Sequence, residues 1–115
     1  MPFYNIFLYF LKLCLTKKSQ IPFYFYSIDA QLKALIDRTV ARWTEVRDKE
    51  LYYIVTAADE ALSSADTTIA CFHGYAECIE GAKEMGVIYG MGAYEKGEIK
   101  SMPAMNEAYQ MGKSV

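Results

Sequence analysis

The sequence predicts an α/β fold built around a parallel β-sheet. Two continuous apolar runs, residues 51–58 and 85–93, lack the polar alternation of strands with one solvent-exposed face, and this favours strands buried on both faces. Amphipathic helical patterns precede, separate and follow the two runs. Strands joined through helices run parallel with right-handed crossovers, so we expect their carboxyl ends to meet at one edge of the sheet.

The 115 residues are predicted to form a single domain. A composition of 53% hydrophobic and 23% charged residues suits one ordinary folded unit. The net charge of −2 gives no electrostatic footprint for nucleic acid, so that partner is not expected. Three cysteines and one histidine, His73, form no zinc-binding or disulfide pattern. No metal is expected, and this cysteine usage predicts a cytoplasmic location.

Residues 1–20 form a divergent apolar segment. Lys12 interrupts its apolar run, whose helical length would be about 22 Å against a hydrocarbon core of ~30 Å, so no membrane span is predicted. Basic residues do not precede the run and no small-residue cleavage site follows it, which argues against a secretory signal. We expect a buried strand, which would lead the sheet, or a packed segment.

The first predicted helix begins after Ser27, whose hydroxyl is a candidate N-cap. Its apolar residues recur at three- and four-residue spacing: Leu32, Leu35, Ile36, Val40 and Trp43. This pattern predicts an amphipathic helix that extends to about Trp43.

Two further helices are predicted after the strand at residues 51–58. Asp59, Ser63 and Ser64 are candidate caps of the second helix, and the third begins at Pro103. The apolar stripe of the second helix comprises Ile69, Phe72, Ala76 and Ile79, and that of the third comprises Met105, Ala108 and Tyr109. His73 has no acid–base partner in its local sequence, so a structural or exposed role is expected.

Four consecutive aromatic residues, Phe23 to Tyr26, lie just before the first helix. Taken alone, such a cluster is more often core than a platform for a flat ligand, and both interpretations stay open at this point.

Three stretches of the chain resemble the C-terminal half of flavodoxin-like NAD(P)H-dependent FMN reductases, particularly the iron-sulfur flavoprotein branch. They are IPFYFYSIDAQLKALIDRT, YYIVTAAD and GVIYGMGAYEKGEIKSMPAMNEAYQMGK, and the resemblance runs from Ile21 to Lys113. It implies a three-layer αβα domain over residues 21–115, truncated at its N-terminus, with FMN at the carboxyl edge of the sheet. It also implies a homo-oligomer with NAD(P)H as electron donor.

The resemblance also implies two loops beside the flavin ring. The family pattern P-x-Y-F-x-S matches Pro22, Tyr24, Phe25 and Ser27, with Tyr26 between the last two, and the second ring-side loop matches Thr56, Ala57, Ala58 and Asp59. Aromatic contacts with a planar ring add roughly 0.5–1.5 kcal/mol beyond burial. Backbone amides in such loops can hydrogen-bond the polar edge of the ring.

The family's phosphate-binding loop has no counterpart before Ile21. The stretch from Gly90 to Glu95 lacks the third glycine of G-x-G-x-x-G, so FMN binding is expected to be weak or lost. One predicted function is hydride transfer from NAD(P)H to FMN and on to a quinone, a free flavin or another small-molecule acceptor. The alternative is a non-catalytic remnant that acts as an interaction or subunit-interface module through exposed sheet edges.

Overall fold

The computed structural model describes residues 24–115. The helices and strands in this range are α1 (Ala30–Arg38), β1 (Glu50–Ala57), α2 (Asp66–Glu77), β2 (Lys83–Met91) and α3 (Pro103–Lys113). Short 3₁₀ segments occupy Thr39–Glu45, Leu62–Ala65 and Glu98–Ser101. The segment 1–20 and Pro22, for which the sequence makes predictions, lie outside the described residues.

β1 and β2 pair in parallel and are connected through α2. The register runs from Glu50 opposite Lys83 to Ala57 opposite Met91, with one irregularity between Leu51 and Tyr52. Both strands lie within two residues of their predicted positions, and the parallel pairing confirms the prediction of an α/β fold. Within residues 24–115 the sheet has two strands.

The main hydrophobic core lies between one face of the sheet and α2. Leu51, Tyr53 and Val55 alternate along β1 and are all buried, as are Phe72 and Ala76 on α2. The rings of Tyr53 and Phe72 stack with their centroids 4.6 Å apart and their planes 9° apart. Full burial of such a side chain stabilises the fold by about 1.5–3 kcal/mol.

α1 packs on the same face of the sheet as α2. Ile28 and Leu32 contact the cluster formed by β1 and α2, and Thr39 Oγ1 lies 3.2 Å from the Tyr75 hydroxyl of α2. However, α1 contributes no fully buried residue. The helix therefore lies at the margin of the core.

α3 covers the opposite face at β2. A Cβ on Gly86 would lie 2.9 Å from Met111 Cε, and a Cβ on Gly90 would lie 2.6 Å from Ile99 Cδ1. The missing side chains allow this close approach. On β1, Tyr52 and Ile54 of this face are half-buried and Thr56 is buried, so the burial predicted for both faces is complete on one face and partial on the other. The reason is that α3 packs on β2.

The first helix differs from its prediction at both ends. Asp29, not Ser27, is the N-cap, and its Oδ1 accepts a hydrogen bond of 2.7 Å from the Leu32 amide. The α-helix ends at Arg38 and continues as a 3₁₀ segment with three residues per turn. This change of pitch rotates the later residues away from the core, so Val40 and Trp43 are 69% and 49% exposed.

The apolar stripe of α2 is confirmed, but its predicted caps are not. Phe72, Ala76 and Ile79 are buried. The 3₁₀ segment Leu62–Ala65 leads directly into α2, and the Asp66 amide donates to the Ser63 carbonyl, so backbone groups rather than side-chain caps satisfy this helix end.

α3 begins at Pro103 as predicted, yet its buried side lies one residue away from the predicted one. Ala104 is buried and Met111 is half-buried, whereas Met105 and Tyr109 are 43% and 62% exposed. The predicted buried side comprised Met105, Ala108 and Tyr109. Ala108 is half-buried, so the prediction is wrong for Met105 and Tyr109 only. Ala104 and Met105 are adjacent and both apolar, so the sequence pattern alone did not discriminate between the two neighbouring faces.

Candidate functional site

The aromatic stretch forms a tight turn at the surface. Backbone hydrogen bonds of 3.1 and 3.2 Å join Tyr24 and Ser27 in both directions. Phe25 and Tyr26 have φ angles of 50° and 64°, the left-handed conformation required at both central positions of a type I′ turn. For residues other than glycine this conformation costs roughly 1–2 kcal/mol each. The turn is therefore a strained element.

The aromatic rings of this turn face solvent rather than the core. Phe25 is fully exposed, and Tyr24 and Tyr26 are 63% and 59% exposed. Of the two interpretations of the aromatic cluster, the core is thus excluded for these residues. Ser27 is half-buried, and the following residue, Ile28, packs against the core and fixes the base of the turn.

The second predicted loop lies at the carboxyl end of β1. Thr56 is buried in the strand and Ala57 is half-buried, whereas Ala58 and Asp59 are exposed. Asp59 Oδ1 accepts a hydrogen bond of 2.8 Å from the Ala61 amide, which shapes the turn into the next 3₁₀ segment. The Asp59 carboxylate therefore has a local structural role.

This loop is joined to the loop that follows β2. The Ala93 amide donates to the Ala57 carbonyl at 3.1 Å, and the Gly92 amide donates to the Asp59 carbonyl at 3.0 Å. Gly92 has a φ of +78°, a conformation that glycine adopts readily. Residues 57–59 and 91–93 thus form one continuous rim at the carboxyl ends of both strands.

Glu98 organises the outer part of this rim. Its Oε2 accepts hydrogen bonds of 2.9 Å from the amides of Tyr94 and Glu95. Tyr94 is 81% exposed at the tip of the loop. Tyr94 is an exposed aromatic residue at this rim that the resemblance did not mark.

The structure therefore brings together Thr56, Ala57, Ala58 and Asp59 with the β2 loop. It holds Tyr24, Phe25, Tyr26 and Ser27 in a separate turn whose own backbone bonds maintain it. Comparisons with protein-family models, curated proteins and solved structures found no match. The site residues of the FMN reductase resemblance accordingly stay predictions.

A cluster of titratable residues lies on the α2 side of the sheet and was missed by sequence reasoning. Glu84 Oε1 accepts a hydrogen bond of 2.9 Å from the Tyr53 hydroxyl and lies 2.6 Å from His73 Nδ1. The three residues come from β1, β2 and α2. No local spacing could have indicated this cluster, because the parallel register alone brings Tyr53 and Glu84 together.

The environment shifts the pKa values of two members of this cluster. Burial, supplemented by the hydrogen bond to Glu84, raises the pKa of the Tyr53 hydroxyl well above its ordinary value. Burial alone would raise the pKa of the Glu84 carboxyl, but hydrogen bonds from His73 and Tyr53, and the His73 charge, together lower it. Glu84 is thus held ionised between two donors.

A shallow, open groove runs along α3 and the 3₁₀ segment before it. Its walls include Lys100, Met102, Met105, Asn106 and Tyr109. The ammonium group of Lys113 lies 5.4 Å from the centre of the Tyr109 ring, a cation–π distance. The openness of the groove leaves little enclosed surface for a small molecule.

Residues 24–115 contain no group of three or more His, Cys, Asp or Glu side chains placed to hold a metal ion. None of the helices within this range combines the length and apolarity that a bilayer crossing requires.

Proposed function

We propose that residues 21–115 belong to a flavodoxin-like NAD(P)H-dependent FMN oxidoreductase and contribute its ring-side loops. The observation that carries the proposal is the strained turn at Tyr24–Ser27, which holds exposed aromatic side chains in one backbone conformation. Strain of this kind persists where the surrounding structure enforces it, and it clusters at ligand sites. The same residues carry the sequence resemblance.

The turn suits a planar ring better than a flexible loop would. The two backbone hydrogen bonds and the packing of Ile28 fix its position, so little conformational entropy is lost when a ligand contacts Phe25. An offset or edge contact between this ring and an isoalloxazine would contribute about 0.5–1.5 kcal/mol. When bound, FMN would accept hydride from NAD(P)H and deliver electrons to a quinone, a free flavin or another small acceptor.

The described loops do not suit the phosphate of FMN. Residues 56–60 and 91–98 carry Asp59, Glu60, Glu95 and Glu98 against one basic side chain, Lys96. A phosphate favours cations or the free amides of a helix N-terminus, and these loops concentrate negative charge instead. The proposal therefore includes weak FMN binding in which the ring, not the phosphate, supplies the affinity.

The test is a pair of titrations that follow quenching of flavin fluorescence. If the ring supplies the affinity, riboflavin and FMN bind with equal dissociation constants, within about a factor of two. Phe25→Ala should raise the dissociation constants of riboflavin and FMN by about two- to tenfold, because it removes one aromatic contact. Tyr109→Ala, which removes another exposed aromatic ring, on α3, is the control and should leave both dissociation constants unchanged.

Two results would contradict this proposal. If a folded chain of verified size shows no saturable quenching, the turn at Tyr24–Ser27 does not bind the flavin ring. A strong preference for FMN over riboflavin would mean that the phosphate has a site that the acidic loops do not provide. If saturable binding is found, NADH and NADPH oxidation in the presence of FMN should then be assayed with quinone as the acceptor.

A second candidate function is a non-catalytic interaction module. Val40 and Trp43 are exposed apolar side chains beside α1, and the sheet that residues 24–115 form consists of two strands. Such features favour association with another copy or a related chain, in a cytoplasmic homo-oligomer. Sedimentation of the chain with and without flavin separates the candidates, because this one requires a stable oligomer that flavin does not affect.

A further inference from the structure

The groove along α3 is a surface that neither candidate function uses. Its walls carry three apolar side chains, Met102, Met105 and Tyr109, which recur at the three- and four-residue spacing of one helix face. Met105 and Tyr109 are exposed, whereas the other side of α3 packs on β2. The groove is open along its length, so it suits an elongated partner better than an enclosed small molecule.

Positive charge lies at both ends of this apolar stripe. Lys100 lines the groove just before α3, and the Lys113 ammonium group lies 5.4 Å from the centre of the Tyr109 ring. Neither lysine forms an ion pair with another residue in the described part of the chain. The one acidic residue of α3, Glu107, points about 160° away from Met105 around the helix, at ~100° per residue. The groove therefore lacks the negative charge that would balance its two lysines.

We propose that this groove binds an acidic amphipathic helix of a partner protein. The apolar face of such a helix packs on Met102, Met105 and Tyr109, as amphipathic helices do in other apolar grooves. Methionine side chains adapt their shape to a bound partner, and tyrosine is a frequent anchor of protein interfaces. Carboxylates of the partner pair with Lys100 and Lys113, so the charges of the two surfaces are complementary.

The spacing of the two lysines restricts the sequence of the partner. Pro103, which lies near Lys100, and Lys113 are ten residues apart on α3, or about 15 Å at ~1.5 Å per residue. A partner helix with acidic residues at both ends of a three-turn apolar stripe matches this distance. This inference does not depend on the flavin proposal, because the groove residues lie outside both predicted ring-side loops.

The test is the binding of fluorescein-labelled peptides to the full chain, followed by fluorescence anisotropy. The probe is a helical peptide of about four turns, with leucines at helical spacing and glutamates at both ends. A matched probe has glutamine in place of each glutamate. We expect saturable binding of the glutamate probe, with a dissociation constant about fivefold lower than that of the glutamine probe. Salt should reduce this difference, because it screens the charges.

Two pairs of variants locate the bound probe. Tyr109→Ala should raise the dissociation constant of the glutamate probe by about tenfold, and Lys100→Ala should raise it by about two- to fivefold. The matched controls are Trp43→Ala and Lys96→Ala, which remove an exposed ring and an exposed lysine outside the groove. Both controls should leave the dissociation constant unchanged. All four side chains are exposed, so circular dichroism should show that each variant keeps the fold.

Four results would overturn the proposal. The first is the absence of saturable binding by the folded chain. The second is equal binding of the two probes, because the lysines would then select no acidic partner. The third is an unchanged dissociation constant for Tyr109→Ala, which would locate the probe elsewhere. The fourth is self-association of the unmodified chain that Tyr109→Ala abolishes in sedimentation, because that result would assign the groove to a second copy.

Discussion

The Oε1 atom of Glu84 lies 2.6 Å from Nδ1 of His73, which ties the start of β2 to the middle of α2. The same oxygen accepts a hydrogen bond from the Tyr53 hydroxyl, so one carboxylate links both strands and the helix between them. The stacking of Tyr53 on Phe72 places this polar contact directly beside the core.

Glu84 should make the fold sensitive to acid. Its pKa is lowered in the folded chain from an ordinary value of 4.5, so its stabilising contribution is fully present above about pH 4.5 and is lost as the pH falls through the folded value. The Glu84→Gln variant should therefore have a thermal midpoint that varies less below this pH. Circular dichroism melts over a pH series measure it, with the exposed Glu77→Gln as control. If the thermal midpoints of E84Q and of the unmodified chain fall equally steeply with decreasing pH, Glu84 is not the group that makes the fold sensitive to acid.

Tyr53 should limit stability in alkali. Its pKa is raised above 10.0 in the folded chain, so above this pH the unfolded state loses the phenolic proton first and stability falls. Tyr53→Phe keeps the stacked ring and removes the hydroxyl, at a cost of about 1 kcal/mol near neutrality. Urea unfolding at neutral and alkaline pH should show this cost and a smaller alkaline loss than in the unmodified chain. An unchanged alkaline loss would show that other groups cause it.

Gly81 and Gly74 should respond to alanine in opposite directions. Gly81 has a φ of +73°, and a Cβ there would collide with the Asp48 carboxylate, so Gly81→Ala should destabilise the fold by about 1–2 kcal/mol or more. Gly74 lies within α2 with nothing near its Cβ position, so Gly74→Ala should stabilise by up to about 1 kcal/mol. Chemical denaturation measures the free energy of unfolding of each variant. Changes of the same sign in the two variants would contradict the backbone geometry described for Gly81 and Gly74.

Asp29, rather than Ser27, should be the residue that α1 requires. Asp29→Ala removes the acceptor for the Leu32 amide and should cost about 0.5–2 kcal/mol. Ser27→Ala should stay within about 0.5 kcal/mol of the unmodified chain, since the Ser27 contacts in the turn are made by its backbone. The same denaturation assay compares them, and a larger loss for Ser27→Ala would restore the cap predicted from the sequence.

The sequence was sufficient for β1, β2 and the buried side of α2, because continuous apolar runs and a 3.6-residue stripe report burial directly. It was insufficient where neighbouring residues offer equivalent chemistry. Ser27 and Asp29 are both good caps, but the helix begins at Ala30, and Asp29 is therefore the residue whose side chain accepts from the Leu32 amide. Similarly, Ala104 and Met105 are both apolar, and only the packing of α3 on the sheet shows that Ala104 is the buried one.

The candidate site was predictable in its parts but not in its arrangement. The run of aromatic residues drew attention to the stretch Tyr24–Ser27. Its left-handed backbone and exposed rings depend on the hydrogen bonds between Tyr24 and Ser27, which the amino-acid composition does not predict. The joining of residues 57–59 to 91–93 follows from parallel pairing once the register is known. The Tyr53–Glu84–His73 cluster depends on three elements at once, so no single stretch contains its signal.

The 3₁₀ segment between α1 and β1 is broken at Arg42, where φ is −138° and ψ is 23°. This irregular, exposed backbone has a basic side chain at its centre, so we expect trypsin to cleave the peptide bond that follows Arg42. One cut would separate the aromatic turn and α1 from β1, α2 and β2, whose shared core keeps them together. The cut would also release Ile28 and Leu32 from the core cluster that they contact, so the remaining β1–α2–β2 unit would expose apolar surface that the intact chain covers.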